Sequence, residues 1–346
     1  HKSNVNNITM KQKHILLINL GSPKSLDIKD VRSYLKEFLS DDLVVDLPKV
    51  LQQIILRSFI LPFRPQKTKK AYEEIWEDES PLIKNTRKIA KALQSKTGWK
   101  VDIAMRYQSP SIKKSILHLK DKKVDEVIIV PLYPHHAMST TLSTEIYVKK
   151  IVEENYPKLQ MKFIKPFFEH PKYISALSKS IEPYLNNEID KIIFSYHGIP
   201  ERHIRKSDVN GNHCLQSSDC CQIDCESSKN CYRSNVWKTS MLTAKQLNLD
   251  DNKWMMSFQS RVSIIDPKWL NPYTDKEIIN FSKKGIKNIA ILCPSFVADC
   301  LETLEEINLR ARKSFLESGG ESFTFIPCLN DDNNFIELLN DLILNI

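Results

Sequence analysis

The sequence feature that most constrains the fold of this chain is an alternation of apolar, β-rich runs with helical patterns, which recurs in the same order in both halves. Such alternation predicts crossover units and largely parallel sheets. The run from Ile18 to Pro23 and the run from Ser195 to Pro200 both read as a strand end followed by a Gly-x-Pro turn. Val127 to Pro131 corresponds in the same way to Ile289 to Pro294. We therefore expect an α/β fold of two similar Rossmann-like domains, whose four-stranded parallel sheets face a common cleft. Because the matches are short, a general likeness among parallel strands is the alternative.

The same patterns give the predicted elements and domains. We predict strands near 14–20, 100–106, 125–132, 161–166, 190–196, 253–259, 287–293 and 322–327. Helical patterns cover 28–39, 67–75, 81–95, 110–120, 142–155, 171–185, 235–247, 275–284, 300–316 and 333–345. This order predicts one domain over 14–155, a second over 156–328 and a last helix within 329–346 that packs back on the fold. The polar residues 1–7 are expected to lie outside the fold.

Composition and charge exclude several classes of protein. The chain has 41% hydrophobic and 27% charged residues, which is ordinary for a soluble globular protein. Its formal net charge of +8 is dispersed and no nucleic-acid reader motif is present, so we expect no nucleic acid partner. No apolar stretch approaches the roughly 20 residues needed to span a bilayer, and the N-terminus lacks the apolar region of a signal peptide. We therefore expect a cytoplasmic protein.

The segment 47–65, between the first two predicted strands, is far too apolar for an ordinary exposed loop. It is also too short and too interrupted to span a membrane. Two interpretations are open: the segment packs on the core, or it forms an apolar lip that dips into a bilayer beside Arg57 and Arg64. Composition alone favours packing on the core.

Two places near strand ends carry side chains that can accept protons. His197 ends an apolar strand, at the edge of a parallel sheet where such folds bind small ligands, and its imidazole can act as a metal ligand or a base. Glu302 begins a predicted helix, with Glu306 four residues later on the same face and Asp299 about one turn before. The alternatives are a histidine that only packs and a solvated helix start whose acidic residues complement the helix dipole.

Five of the eight cysteines fall in one short segment, at Cys214, Cys220, Cys221, Cys225 and Cys231. Four thiolates on a small loop can hold zinc or an iron–sulfur cluster. No pair shows the two-residue spacing usual for structural zinc, so an iron–sulfur cluster is the preferred interpretation. Zinc, and thiols that are free or form disulfides, remain as alternatives.

Several long motifs in a fixed order resemble the ferrochelatase family, and the resemblance covers nearly the whole chain from about residue 14. The motifs are Asn19-Leu20-Gly21-Ser22-Pro23, Val31 to Leu35, Ala104 to Tyr107, Leu132-Tyr133-Pro134 with Ser139-Thr140-Thr141, His170 to Ile174, Ser195 to Pro200, Ser257 to Arg261, Trp269 to Thr274 and Asp299 to Ile307.

The resemblance implies a lyase that inserts Fe²⁺ into protoporphyrin IX as the last step of haem synthesis. The fold implied is that of the type II chelatases, with a cleft between two Rossmann-like domains and no bound nucleotide. Matching the family's motif, His197 and Glu302 are the pair that takes protons or passes the metal, and imidazole and carboxylate suit both tasks. Asp299 and Glu306 extend this pair as a path for protons or metal. By alignment, the macrocycle pocket is lined by Leu20, Tyr72, Arg106, Tyr107, His136, Ser139, Thr140 and Trp269.

The resemblance also bears on the apolar segment, the partners and the cysteines. It favours a lip at 47–65 that embraces the porphyrin and touches the membrane, and hence a cytoplasmic protein with peripheral membrane contact, as a monomer or homodimer. Some microbial members carry a [2Fe–2S] cluster, and by resemblance its ligands here are Cys214, Cys220, Cys221 and Cys231, with Cys225 as a possible substitute.

Departures from the family pattern keep other functions open. His136 stands where many members have Tyr, and Cys300 stands where some have His, so a second imidazole ligand is not assumed. The alternatives are a coproporphyrin ferrochelatase, a chelatase for another tetrapyrrole or metal, and a non-catalytic protein that binds iron or haem.

Overall fold

The computed structural model describes residues 13–346, and the expectation for residues 1–7 lies outside the described residues. Eight strands form two parallel sheets of four. They are β1 (His14–Gly21), β2 (Lys100–Tyr107), β3 (Glu126–Pro131), β4 (Gln160–Phe163), β5 (Lys191–His197), β6 (Trp254–Gln259), β7 (Asn288–Leu292) and β8 (Ser322–Phe325). The strand orders are β2-β1-β3-β4 and β6-β5-β7-β8, so both halves have the same topology. The expected α/β fold with two four-stranded parallel sheets is confirmed.

The central strands form where the sequence has unbroken apolar runs, because a parallel sheet is covered on both faces. Residues 15–18 of β1 are fully buried, as are Ile193, Phe194 and Tyr196 of β5. Both strands stop at a glycine where two backbones approach closely. A Cβ on Gly21, whose φ is +123°, would lie 2.1 Å from the carbonyl oxygen of Tyr107, and one on Gly198 would lie 3.0 Å from that of Gln259. The glycines therefore let each central strand turn away toward the cleft.

Thirteen α-helices are found in residues 13–346. They are α1 (Ile28–Leu39), α2 (Lys49–Ile55), α3 (Arg64–Glu73), α4 (Pro81–Thr97), α5 (Ile112–Asp121), α6 (Ser143–Asn155), α7 (Pro171–Ile181), α8 (Glu201–Lys206), α9 (Glu226–Lys229), α10 (Tyr232–Gln246), α11 (Thr274–Lys283), α12 (Arg312–Glu317) and α13 (Asn333–Leu344). Three-residue 3₁₀ turns occur at Glu182–Tyr184, Cys220–Gln222 and Asp251–Lys253.

The long helix α4 illustrates how the sequence sets helix ends. It begins with Pro81, whose missing N–H is not needed in the first turn. It ends at Gly98, which adopts a left-handed φ of +71° and donates its N–H to the carbonyl of Gln94. The buried face of α4 shares a core with Phe335, Leu338 and Leu339 of α13, so the last helix packs on the N-terminal half.

Three π-helical segments lie at Leu56–Ile60, Met138–Leu142 and Glu302–Ala311. The sequence predicted one helix over 300–316, and the structure is helical there from Leu301, with π-helical rather than α-helical geometry over Glu302–Ala311. The Cys300 N–H donates to Thr303 Oγ1 (3.0 Å), whose hydroxyl donates to Asp299 Oδ1 (2.8 Å). These bonds cap the first turn of the segment. The wider π turn then changes where the acidic side chains point.

The apolar segment 47–65 is helical and divides its side chains between two environments. Leu56 and Ile60 are buried in a cluster with Leu39, Val45 and Ile265, which joins the segment to a loop of the C-terminal half. Burying two such side chains contributes about 3 to 6 kcal/mol of transfer free energy. On the other face, large apolar side chains are exposed at Val50, Leu51, Ile54, Phe59 and Phe63, with Phe63 at 72%. Packing on the core therefore holds for one set of these side chains, and membrane contact by the exposed set stays a prediction.

Candidate active site

A cavity lies between the carboxyl ends of the two sheets, with a mainly apolar lining. Five residues predicted for the site line it, namely Leu20, Ser139, Thr140, His197 and Trp269. Trp269 is held in place because its indole N–H donates to the carbonyl of Asp266 (2.8 Å). Ser139 and Thr140 belong to the π-helical segment that follows β3, and Leu20 belongs to β1. The lining therefore combines apolar surface with a few hydroxyl groups, which is typical of ligand cavities.

His197, the last residue of β5, presents one free ring nitrogen. Its Nδ1 lies 2.6 Å from the carbonyl oxygen of Gly198, which can only accept, so Nδ1 carries the hydrogen. In the neutral ring, Nε2 then keeps its lone pair. The carbonyl of His197 accepts a hydrogen bond from Tyr232 Oη (2.8 Å), which fixes the backbone of this residue. His197 is thus an oriented imidazole in a cavity wall, as a base or a metal ligand requires.

The acidic π-helical segment is connected through Gln259 to the strand that carries this imidazole, and the Glu306 carboxylate lies near the His197 ring. Gln259 is paired with His197 in the sheet, and its amide Nε2 donates to the Glu302 carbonyl (2.9 Å) and to Glu306 Oε2 (3.3 Å). The Ser260 N–H donates to Glu306 Oε1 (2.9 Å), and the Ser260 hydroxyl donates to the other oxygen. Burial raises the pKa of Glu306 and the nearby Glu302 adds to the rise, although Ser260 and Arg310 oppose it. Such a carboxyl is suited to proton exchange.

Asp299 is the most constrained of the predicted acidic residues. It is 5% exposed, and its carboxylate accepts hydrogen bonds from the Thr303 hydroxyl (2.8 Å), the Asn330 amide (2.9 Å) and the Cys328 N–H (3.3 Å). These bonds fix the chain just before the π-helical segment. Asp299 therefore supports the backbone that carries Glu302.

Arg106 and Tyr107 lie outside the cavity lining and share a buried carboxylate. The Arg106 guanidinium (2.8 Å) and the Tyr107 hydroxyl (2.6 Å) both donate to Asp41 Oδ2, and Ser143 also donates to it. Arg106 also stacks on the rings of Tyr107 and Tyr147, at 4.6 and 4.1 Å from their centroids. Burial, with Asp41 adding to it, raises the pKa of Tyr107 well above its usual range. In this structure the pair belongs to a fold-stabilising network.

Tyr72 and His136 are also placed outside the cavity lining. Tyr72 is buried, and burial together with nearby Tyr34 and Glu302 raises its pKa. Tyr72 therefore lies on the side of the cavity where Glu302 is found. His136 lies in a second, open cavity that also involves Glu145, and burial lowers its pKa. The residues predicted for the site are thus divided between the cavity wall and positions outside it.

Sequence reasoning missed two histidines in the cavity wall, His135 and His203. The Thr239 hydroxyl donates to the Phe168 carbonyl (2.6 Å), so it accepts from His135 Nε2 (2.8 Å) and leaves His135 Nδ1 without a partner among the described residues. Burial lowers the pKa of His135 to about 3, so its ring is neutral. The sequence signal for His135 was its position beside His136, and the family motif had drawn attention only to His136.

The cysteine segment brings together the four thiols that the resemblance had named. Cys214, Cys220, Cys221 and Cys231 are buried, whereas Cys225 is partly exposed and caps α9. The adjacent Cys220 and Cys221 sit in a 3₁₀ turn, and Arg233 Nη1 lies 3.5 and 3.3 Å from their sulfurs, so both side chains face the same way. No disulfide is formed among these cysteines of the described chain.

The thiols influence one another's ionisation. A hydrogen bond from Cys221 lowers the pKa of Cys231 to about 6, whereas burial and the neighbouring Cys231 raise the pKa of Cys214 above its usual range. The Cys231 thiolate therefore forms readily, whereas Cys214 and Cys221, whose pKa values are raised, resist ionisation unless positive charge is supplied. Within residues 13–346, no set of three or more His, Cys, Asp or Glu side chains has the arrangement needed for a single metal ion.

The described helices include none with the length and apolar character required to cross a bilayer.

Comparison with known proteins places this arrangement in a family. The sequence model described as Ferrochelatase matches residues 12–345. A ferrochelatase of Pseudomonas fluorescens (strain Pf0-1) is 40% identical over 336 residues, which cover 96% of this chain and 98% of that relative. One of Ectopseudomonas mendocina (strain ymp) is 41% identical over 338 residues, with the same coverage.

Solved structures extend the comparison to the fold alone. SirB from Bacillus subtilis with Fe³⁺ superposes with a TM-score of 0.53 at 11% identity, over 96% of both chains. The sirohydrochlorin chelatase SirB from Bacillus subtilis subspecies spizizenii in complex with cobalt gives 0.53 at 8% identity, over 96% of this chain and 94% of that one. The two-sheet architecture is therefore that of chelatases.

Proposed function

The chain belongs to the ferrochelatase family of metal-chelatase lyases, and from this premise we propose that it inserts Fe²⁺ into protoporphyrin IX to form protohaem, the last step of haem synthesis. The reaction replaces two pyrrole N–H protons with Fe²⁺ and releases both protons. The observation that carries the proposal is the oriented imidazole of His197 in an apolar cavity wall, near the partly buried carboxylate of Glu306, which shares a π-helical segment with Glu302.

Proton removal is the task that these residues perform best. We propose that His197 Nε2 and the Glu302 carboxylate face the macrocycle centre as the proton-accepting and metal-passing pair. Glu306 receives protons next, because its raised pKa favours uptake and its hydrogen bonds to Ser260 and Gln259 hold it in place. Asp299, at the inner end of this row, supplies negative charge and a fixed backbone for the path.

The apolar and hydroxyl-bearing residues of the cavity wall provide most of the proposed contacts with the macrocycle. Leu20 and Trp269 cover ring faces, and Ser139 and Thr140 donate hydrogen bonds to substrate oxygens. We propose that Tyr72, Arg106, Tyr107 and His136 contribute to porphyrin binding from outside the cavity lining. Arg106 would bind a propionate by sharing its guanidinium with Asp41.

We propose that the cysteine segment holds a [2Fe–2S] cluster on Cys214, Cys220, Cys221 and Cys231, with Cys225 left over. Four buried thiols, with two adjacent sulfurs facing one arginine, support a group that needs four thiolates. When bound, such a cluster supplies one-electron redox chemistry and cross-links the loop. Iron and acid-labile sulfide analysis with visible absorbance tests this proposal, and a colourless, iron-free, active preparation would rule it out.

We propose that the exposed apolar face of 47–65 touches the membrane, so that the protein is cytoplasmic with peripheral contact at the inner face of the cytoplasmic membrane, as a monomer or homodimer. Val50, Phe59 and Phe63 provide apolar area, and Arg57 provides positive charge for anionic lipid. Vesicle flotation of the wild type against a Phe59→Ser, Phe63→Ser variant tests this contact.

A turnover assay with Fe²⁺ and either protoporphyrin IX or coproporphyrin tests the function itself. An enzyme consumes many equivalents of porphyrin, whereas a protein that only binds iron or haem gives a single stoichiometric spectral change. Preferred turnover of coproporphyrin would replace the proposed substrate, and loss of turnover in His197→Ala would connect the activity to this cavity.

A further inference from the structure

The first turn of helix α10 lies between the cysteine segment and the strand that carries the proposed base. Tyr232, the first residue of this turn, is 6% exposed and lines the cavity that also contains His197. Its hydroxyl donates to the backbone carbonyl of His197 (2.8 Å), 35 positions away in the chain. Burial raises the pKa of Tyr232 well above its usual range, so the hydroxyl stays protonated and acts as the donor.

This hydrogen bond acts on the peptide group that links the imidazole to its own acceptor. His197 Nδ1 donates to the carbonyl of Gly198 (2.6 Å), so the peptide between these two residues sets where the ring lies relative to that acceptor. The N–H of this peptide donates to the Gln259 carbonyl (2.7 Å), and its C=O accepts from Tyr232. Because Gly198 has no Cβ to restrict the backbone, the two hydrogen bonds select its conformation.

The residues that follow Tyr232 in the same turn contact the two adjacent cysteines of the cysteine segment. Arg233 Nη1 lies 3.5 Å from the sulfur of Cys220 and 3.3 Å from that of Cys221. The Ser234 hydroxyl donates to the Cys221 carbonyl (3.4 Å). The turn that carries Tyr232 is thereby fixed to the thiols.

The end of the cysteine segment is attached to the same turn. The amide of Asn235, which is fully buried, donates to the carbonyls of Ser228 (3.4 Å) and Lys229 (3.1 Å) at the end of α9. Cys231, directly before Tyr232, is buried in the apolar cluster that contains Phe194 of β5. One helical turn therefore contacts both the cysteine segment and β5.

We propose that Tyr232 is a positioning residue for His197, and that the cysteine segment acts on the cavity by fixing the turn that carries Tyr232. The connection consists of hydrogen bonds and packing, so no proton or electron moves along it. As a statement about turnover, this inference rests on the proposed ferrochelatase function.

Three variants separate this role from general packing. Tyr232→Phe removes the hydroxyl and keeps the ring in the cavity wall. Tyr196→Phe is the matched control: Tyr196 also joins β5 to α10 through a buried hydroxyl, 2.7 Å from Ser240 Oγ, and is not part of the cavity lining. Asn235→Ala loosens the cysteine segment from the turn without changing a cysteine, and Ser234→Ala replaces it if Asn235→Ala fails to fold.

Steady-state turnover is the first measurement. We expect Tyr232→Phe to lower kcat about 10-fold with the KM for porphyrin unchanged, because the unpaired His197 carbonyl lets the peptide change its orientation. Tyr196→Phe should leave kcat unchanged, although it also loses a buried hydrogen bond. In the Tyr232→Phe background, Asn235→Ala should have little further effect on kcat. Asn235 also accepts from the His136 N–H (3.0 Å), and losing that bond should appear in the KM for porphyrin.

Nitrogen NMR of the histidine rings gives a second measurement that needs no turnover. The His197 signals are identified by their absence in His197→Ala. At alkaline pH, where the ring is neutral, the single Nδ1–H tautomer gives two well-separated ring-nitrogen signals in the wild type. In Tyr232→Phe these signals should move toward each other as the other tautomer becomes populated, whereas Tyr196→Phe should keep the wild-type signals.

Wild-type ring signals together with wild-type kcat in Tyr232→Phe would overturn the proposal. An equal loss of kcat in Tyr196→Phe would assign the effect to the packing of α10 instead. Additive effects of Tyr232→Phe and Asn235→Ala would contradict the part assigned to the cysteine segment. Absence of porphyrin turnover in the wild type would refute the proposed function, whereas the ring signals would still test whether Tyr232 positions His197.

Discussion

The two halves of the molecule share one backbone plan and differ in the side chains that they bring to the cavity. Each central strand stops at a glycine, and the residue just before it is Leu20 in the N-terminal half and His197 in the C-terminal half. Each third strand leads to a π-helical segment, which carries Ser139 and Thr140 in one half and Glu302 and Glu306 in the other. The shared plan supplies positions, and the residue at each position supplies the chemistry.

This comparison implies a division of labour. The N-terminal half offers mainly aliphatic and hydroxyl groups, with the buried imidazole of His135 kept neutral by a pKa lowered to about 3, and under the proposed function these groups hold the macrocycle without exchanging protons with it. The C-terminal half offers an imidazole and carboxylates, which accept protons and bind divalent iron. Changes in the first half should therefore act on the KM for porphyrin, and changes in the second half should act on kcat.

The largest effect is expected for His197→Ala. Removing the oriented imidazole should lower kcat about 10²- to 10⁴-fold, the usual contribution of a general acid or base, with a small change in the KM for porphyrin. Steady-state turnover measures both. His118→Ala, which removes an exposed imidazole on α5, is the control and should leave kcat unchanged. A kcat that survives His197→Ala would break the division of labour.

Glu306→Gln should have the next largest effect. The amide keeps the size of the carboxyl and one of its two accepting oxygens but cannot pass a proton, so kcat should fall about 10²-fold. Glu305→Gln is the matched control, because Glu305 pairs with Arg310 (3.0 Å) on the same π-helical segment and should have little effect on turnover. Unchanged turnover in Glu306→Gln would remove Glu306 from the proton path.

The same variant has a signature in stability. Because the pKa of Glu306 is raised in the folded protein, folding favours its protonated form, and the wild type loses this stabilisation as pH rises through the raised value. Glu306→Gln does not titrate. Urea unfolding over a series of pH values should therefore show that the free energy of unfolding of Glu306→Gln increases, relative to that of the wild type, as pH rises.

Asp46→Asn, which alters the contact between the two halves, should have a smaller effect, on stability, and this effect should disappear in acid. Although burial opposes it, hydrogen bonds from Arg202, Lys206 and His203 hold the pKa of Asp46 at about 2, below the 3.8 of an unperturbed aspartate. This stabilisation is present above pH 3.8 and is lost as pH falls through about 2. Allowing for solvent screening around Lys206, Asp46→Asn should remove about 1 to 2 kcal/mol of unfolding free energy near neutral pH.

Urea unfolding measures that difference, which should shrink toward zero in acid. Asp42→Asn is the control: this neighbouring carboxylate is 66% exposed and contacts Lys49. A difference for Asp46→Asn that does not depend on pH would mean that the ionised carboxylate does not join the two halves.

The sequence predicted the strands well and the cross-chain contacts poorly, for physical reasons. Both β1 and β5 lie within one residue of their predicted ends, because strands buried on both faces need unbroken apolar runs. The π-helical geometry of Glu302–Ala311 was not predicted, because the apolar periodicity of the sequence does not distinguish a π turn from an α turn.

Contacts between distant residues were likewise invisible in the sequence. His203 meets Asp46 across 157 positions, so nothing in the local pattern distinguished its imidazole from a surface histidine. The proposed catalytic pair, His197 and Glu302, was named through its motifs, whereas the part of Gln259 and Ser260 in holding Glu306 became evident only from their hydrogen bonds.

The smallest effect expected is that of Leu20→Ala, and it tests the N-terminal half directly. Leu20 occupies the place that His197 has in the other sheet, lines the cavity and has nothing to titrate. Losing its aliphatic contact should cost the porphyrin complex about 1.5 kcal/mol, which is roughly a tenfold rise in the KM for porphyrin, with kcat nearly unchanged. Leu20→Met, which keeps the volume, is the matched control. If Leu20→Ala lowered kcat as His197→Ala does, the two halves would share the chemistry, and the contrast between ring-holding and proton-handling sheets would be wrong.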